Sequence, residues 1–215
     1  MIISIVWGIS SIVFKAKNTF YYKCARLMAT LIVKICKIKI VVYGNLPQER
    51  NVIYVANHKS LADTMALLTV FPDRTDFLFK AELLRTPGLG FALKHSPYIS
   101  VERHNSKSAA LSYSKAKHHL EQGKSLMIFP EGTWSGDHKL LPFKSGAFLL
   151  AKEMNIPIIP ISLKGTELVI NQESYLIHKG NIEIVFHEVL SPSSFNDKSP
   201  EELSLFVKNI IESKL

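Results

Sequence analysis

Cysteine is scarce in this chain: Cys24 and Cys36 are the only two in 215 residues. They have no C-x-x-C spacing and lie in an apolar stretch. That excludes a disulfide framework or a cysteine zinc site as the organising device, and fits a reducing compartment. Acidic residues are absent from positions 1–48, where Lys15, Lys17, Lys23, Arg26, Lys34, Lys37 and Lys39 fall. The remainder holds nineteen cations and eighteen acids, so the net charge of +8 belongs to the N-terminal segment and not to a basic body. A nucleic-acid-binding surface is therefore not indicated. No uninterrupted apolar run reaches the roughly 20 residues of an ordinary membrane span. Repeats, low-complexity tracts and Gly/Ser linkers are also missing, so one ordinary domain is expected from 47% hydrophobic and 20% charged residues.

What the N-terminal segment does have is apolar sequence interleaved with its cations. Met1–Phe14 and Cys24–Val33 are apolar but short. Their pattern predicts helices lying in a membrane interface, the apolar side entering the acyl boundary and the cations meeting anionic headgroups at about 1 kcal/mol each. Core helices are the alternative, and a single crossing by residues 20–40 is interrupted by Lys34 and Lys37. A cleaved signal is disfavoured, since no positive residue precedes Met1–Phe14 and no small-residue cleavage site follows. The expected organisation is a basic, apolar membrane-associated segment at 1–37 and an α/β domain at 38–215.

From Ile38 onward apolar strand-like runs alternate with helical patterns. Strands are expected at 38–43, 52–56, 76–79, 98–101, 125–129, 158–163 and 182–187. Helices are expected at 61–70, 87–94, 106–121, 143–153 and 201–213, the last opened by Ser199-Pro200-Glu201-Glu202 with its cap, proline and third-position glutamate. Such alternation predicts an α/β fold, a largely parallel or mixed central sheet flanked by helices, with sites beyond the carboxyl ends of its strands.

Two polar clusters fall at such ends. Asn57-His58-Lys59-Ser60-Leu61-Ala62-Asp63 follows the run Val52–Ala56. With His58 in the loop and Asp63 in the first helical turn, the carboxylate can hold one imidazole nitrogen and leave the other as a proton acceptor. Ser60 and Asp63 equally fit a capping box in which the acid returns to the cap's amide. The second cluster, Phe129-Pro130-Glu131-Gly132-Thr133-Trp134-Ser135, follows Leu126-Met127-Ile128. Glu131 reads either as a solvated turn residue or as a carboxylate for substrate hydroxyls. Lys80 and Arg103, at two further strand exits, suit a phosphate.

Other features carry less. His118 and His119 are adjacent on a helix and point apart, so no metal site is expected. Gly88-Leu89-Gly90 lacks a dinucleotide loop's third glycine, and there is no G-x-S-x-G elbow. Phe77, Phe79, Phe91, Phe143 and Phe148 read as core, with some available to line an acyl tunnel.

Over about residues 40–190 the chain resembles the glycerolipid acyltransferases, particularly the bacterial 1-acylglycerol-3-phosphate acyltransferases. The family's His-x4-Asp motif is matched by His58 and Asp63, and its Phe-Pro-Glu-Gly-Thr by Phe129–Thr133. A strand ending in arginine is matched by Tyr98–Arg103, and an apolar strand with prolines by Ile156–Ile161. The resemblance implies His58 as general base on an acceptor hydroxyl and Asp63 as its orienter. It implies Arg103 with Lys80 on the acceptor phosphate, and Glu131, Gly132 and Thr133 shaping the acceptor site. It further implies an acyl thioester donor (acyl-CoA or acyl carrier protein), lysophosphatidic acid or a related lysolipid as acceptor, an anionic membrane surface at the cytoplasmic face, and no cofactor or metal. Many members carry arginine where this chain has Trp134, which cannot pair with phosphate and leaves a different lysolipid acceptor open. A thioester or ester hydrolase and a catalytically silent lipid-binding protein are the other classes. Backbone amides at the helix start after His58 are candidates for steadying the oxyanion.

Overall fold

The computed structural model describes residues 18–45, 51–71, 75–102, 106–135, 139–170 and 176–215. Met1–Phe14 and Arg103 lie outside them. Seven strands form one sheet: β1 (Ile38–Tyr43), β2 (Ile53–Ala56), β3 (Thr75–Lys80), β4 (Ile99–Val101), β5 (Ser125–Ile128), β6 (Ile158–Lys164) and β7 (Gly180–Phe186), in the order β1-β7-β6-β2-β5-β3-β4. From β6 to β4 the pairing is parallel, while β7 runs antiparallel to β6 and carries β1 parallel to itself. The sheet is mixed, and five carboxyl ends share one edge.

The four residues of β2 and of β5 are all buried, as continuous apolar runs must be when helices cover both faces of a parallel sheet. Alternation along β2 divides the core. Tyr54 and Ala56 face α1 (Asn18–Ile35) and α2 (Leu61–Val70), while Ile53 and Val55 face α4 (Ser106–Glu121), α5 (Gly146–Met154) and α7 (Pro200–Glu212). Between them in sequence lie a 3-10 turn at Ala81–Arg85, α3 (Leu89–Lys94) and α6 (Thr166–Val169). Pro160 sits inside β6 because its strand neighbour bulges there: Leu190 pairs with Ile158 and the His187 N–H donates to the Pro160 carbonyl, so no donor is required of the proline.

The helix expected at 143–153 begins at Gly146, because the Lys144 N–H is drawn to the Pro130 carbonyl and holds 143–145 in a loop. That expected at 87–94 begins at Leu89, and β7 starts two residues earlier than its apolar run at Gly180. The 3-10 turn and α6 went unforeseen, each being too short to show a period.

Helix α1 is docked on its inner face and open on its outer one. Tyr21, Tyr22, Ala25 and Ala29 are buried, while Leu27 is 59%, Leu31 45% and Ile35 77% exposed. Tyr22 donates its hydroxyl to Asp76, a fully buried carboxylate that also receives His119 Nδ1 at 2.6 Å and Lys124 Nζ at 3.2 Å. His119 therefore belongs to a buried ion cluster that ties α1, β3 and α4 together.

At the carboxyl edge the sheet opens. Thr75–Phe77 of β3 pair with β5, but Leu78–Lys80 pair with β4 alone, because β5 stops at Ile128 and Pro130 has no N–H to continue the ladder. A notch is left between the end of β3 and the loop after β5.

Candidate active site

The chain leaves β2 through Asn57, a fully buried side chain that replaces a ladder residue. Its Nδ2 donates to the Leu163 carbonyl at 2.9 Å, and its Oδ1 accepts the Leu163 N–H at 2.8 Å. With its strand thus closed by a side chain, the backbone turns toward α2 and presents His58 at the edge. His58 Nδ1 lies 2.8 Å from Asp63 Oδ2, which also accepts the amides of Lys59 at 2.7 Å and Ser60 at 2.8 Å. Orienter and capping box, alternatives in the sequence, are one arrangement: a single carboxylate oxygen closes the N-terminus of α2 and holds the imidazole. Three donors on that oxygen require the Nδ1–H tautomer of a neutral ring. Nε2 then remains an acceptor with no partner among the described residues, on a ring that is 14% exposed.

Most of the amides at this turn are engaged. His58 N–H donates to Glu131 Oε1, Lys59 and Ser60 donate to Asp63, Ala62 to the Ser60 hydroxyl and Asp63 to the Ser60 carbonyl. These five donors are engaged, so of the amides expected to steady an oxyanion they leave that of Leu61.

Glu131 is 4% exposed, with Oε1 on the His58 amide at 2.6 Å and Oε2 on the Leu141 amide at 2.9 Å. It is a strut between the loops after β2 and β5. Burial pushes its pKa up, and the two backbone hydrogen bonds pull it back. Ser135 N–H donates to the His58 carbonyl, completing the connection. Gly132 has φ +76, a left-handed value that lets the chain reverse here beside the ring without Cβ strain. Phe129 stacks on the imidazole at 4.0 Å between centroids and Trp134 meets it edge-on at 6.0 Å, so both aromatics fix the ring plane. Neither Phe129, Asn57 nor Leu141 was singled out from sequence as a site residue. Their roles rest on partners distant in the chain.

His58 stands at a cavity of about 870 Å³. Its wall is mostly apolar, from Leu61 and Leu68 of α2 through Phe77 and Phe79 to Leu150 of α5, with Gly132, Thr133 and Trp134 at the site itself. Two of the aromatics expected to be core, Phe77 and Phe79, thus line it. Phe143 and Phe148 are buried, and Phe91 is half-exposed. Two cations also line it: Lys80, half-exposed and 3.5 Å from Glu82, and Lys144 at the approach to α5. His58, Asp63, Lys80, Glu131, Gly132 and Thr133 are therefore gathered at one edge by the exits of β2, β3 and β5.

The chain is 30% identical over 185 residues to a 1-acyl-sn-glycerol-3-phosphate acyltransferase of Limnanthes alba, covering 86% of this chain and 65% of that one. It is 32% identical over 150 residues to one of Helicobacter pylori, covering 69% and 63%. The chain spans between half and two thirds of the length of several such curated relatives. The crystal structure of the 1-acyl-sn-glycerophosphate (LPA) acyltransferase PlsC from Thermotoga maritima superposes with a TM-score of 0.78 at 28% identity, over 92% of this chain and 79% of that one. The family model described as Acyltransferase matches residues 37–164, a span containing both loops that meet at His58, and the chain belongs to that family.

Proposed function

We propose that the protein transfers a fatty acyl group from an acyl thioester, acyl-CoA or acyl carrier protein, to the free hydroxyl of 1-acyl-sn-glycerol 3-phosphate, giving phosphatidic acid. The observation that carries this is an imidazole oriented by Asp63, its Nε2 without a partner among the described residues, at a large, mostly apolar cavity. An alcohol is not ionised at neutral pH and must lose its proton as it attacks, and a positioned base contributes about 10²–10⁴-fold. His58 Nε2 takes the hydroxyl proton while the oxygen bonds to the thioester carbonyl carbon. Collapse of the tetrahedral species breaks the C–S bond, and the imidazolium returns the proton to the departing sulfur. Asp63 stabilises the transient cation, and Glu131 positions the His58 backbone, shaping the acceptor site with Gly132 and Thr133. Lys80 and Lys144, which line the cavity, take the acceptor phosphate, and Arg103, two residues after β4 in sequence, is assigned to the same group.

The setting belongs to the same proposal. Leu27, Leu31 and Ile35 form an exposed apolar stripe on α1 with Lys23, Lys34 and Lys37 beside it, a face that suits insertion into an anionic membrane surface. No described helix is long and apolar enough to cross a membrane. The lysolipid acceptor would be met in that surface, and the donor on its cytoplasmic side.

The test is thiol release from acyl-CoA by purified protein, with and without lysophosphatidate. Acceptor-dependent release that His58→Ala abolishes in a folded protein is expected. Release independent of acceptor would convert the reading to a hydrolase, and full activity of His58→Ala would remove the base.

A further inference from the structure

The cavity at His58 occupies both faces of the sheet. Phe77 and Leu78 are successive residues of β3, packed into opposite halves of the core, and both line it. On the α1 face its wall includes Leu61, Leu68 and Tyr98. On the other it includes Ala116 of α4 with Ala147 and Leu150 of α5. The two arms communicate through the notch where β5 has ended and β3 continues with β4 alone. Small side chains contribute to that wall from both helices, Ser112 and Ala116 one turn apart on α4 and Ala147 on α5, beside the larger Tyr113 and Leu150.

Acylation of a lysolipid brings two hydrocarbon chains to one reacting oxygen, the chain on the thioester and the chain already on the acceptor. A cavity with two arms meeting beside the base matches that count. Charge distinguishes the arms. Lys80 shares a face of β3 with Leu78, two residues away, and Lys144 lies just before α5, which puts both cations on the α4–α5 side of the cavity, whose lining also holds Glu82, 3.5 Å from Lys80, and Glu102. The phosphate and the existing chain of the acceptor are carried by one glycerol. A phosphate held at these cations therefore directs that chain into the nearer arm and leaves the α1-side arm to the incoming acyl group.

We propose that the slot between α4 and α5 is the acceptor-chain subsite and that the arm beside α2 receives the donor chain. This rests on the acyltransferase reading above. The test is a chain-length matrix: acceptor-dependent thiol release is measured with lysophosphatidates of graded length against acyl-CoAs of graded length. Ala116→Leu projects into the slot and should raise the acceptor KM progressively with acceptor length, about fourfold for each methylene expelled, with the donor profile as in wild type. Leu150→Ala enlarges the slot and should shift the acceptor optimum to longer chains, which decides the matter if Ala116→Leu does not fold. Leu68→Phe, in the other arm, should shift the donor optimum to shorter chains without moving the acceptor optimum. If Ala116→Leu or Leu150→Ala shifts the donor profile, or if Leu150→Ala leaves the acceptor profile unchanged, the assignment is overturned. Thiol release by wild type that ignores the acceptor would instead overturn the acyltransferase reading on which it rests.

Discussion

Replacing Asp63 by asparagine isolates the charge at the site from its hydrogen bonds. Oδ2 accepts from His58 Nδ1, Lys59 N and Ser60 N, whereas Oδ1 is buried with no donor. An asparagine must place its carbonyl where Oδ2 is, since an NH2 there would confront three donors, and its NH2 then takes the position of the oxygen that already lacks a partner. The tautomer of His58 and the cap of α2 both survive. What disappears is the anion facing the imidazolium formed as the hydroxyl is deprotonated. For unit charges about 4 Å apart at an effective dielectric of about 20, that attraction is about 4 kcal/mol, or about a thousandfold in turnover. Stability should change little, because weaker neutral hydrogen bonds are offset by relief of burying a carboxylate with one oxygen unpaired. Asp63→Ala, by contrast, strands two backbone donors and loses the cap, at about 1–3 kcal/mol per unsatisfied group. The assay is acceptor-dependent thiol release alongside thermal unfolding. Turnover of Asp63→Asn within a few-fold of wild type, or a melting temperature as low as that of Asp63→Ala, would refute the reasoning.

Glu131→Gln should destabilise the fold by about 1–3 kcal/mol, because one of the two amide donors loses its acceptor and meets an NH2. Thermal unfolding reads this, and turnover should fall with it as His58 loses its backbone strut. Leu27→Asp with Leu31→Asp should release the protein from anionic vesicles in co-sedimentation without lowering its melting temperature, since both side chains are on the open face of α1. Deletion of residues 1–36 is a poorer probe, as it also strips the buried Tyr21, Tyr22, Ala25 and Ala29 from the core. Burial lowers the pKa of His187, whose Nε2–H donates to the Ser162 hydroxyl at 2.8 Å. The unfolded chain therefore binds a proton that the folded one refuses, so its contribution is fully present above about pH 6.5 and is lost as the pH falls toward its lowered folded value. His187→Gln should flatten that part of the curve of melting temperature against pH.

The elements with a strong local signal were legible before folding was considered. Period-two and continuous apolar runs placed all seven strands, and Ser199-Pro200-Glu201-Glu202 located the start of α7 to within a residue. His58 and Asp63 could be paired from sequence because five residues across a loop-to-helix junction is a local relation. The expected carboxyl-edge position of both polar clusters needed only the order of strand and helix.

What sequence could not supply were relations between residues far apart in the chain. Glu131 is 73 residues from the amide it holds, and Asn57 is 106 from Leu163, so a solvated turn and a buried strut look alike until the sheet brings their partners together. The same holds for Asp76, which gathers Tyr22, His119 and Lys124 from three elements. The fate of the amides after His58 was equally hidden, since those of Lys59, Ser60 and Ala62 are claimed by a carboxylate or hydroxyl whose direction depends on the closed loop. Local patterning, which acts through backbone periodicity and the next turn, determined the α/β elements and the imidazole with its orienter. The notch in the sheet, the two-faced cavity and the clamp behind His58 exist only where strands distant in sequence lie side by side, and there tertiary packing alone decides which polar groups meet.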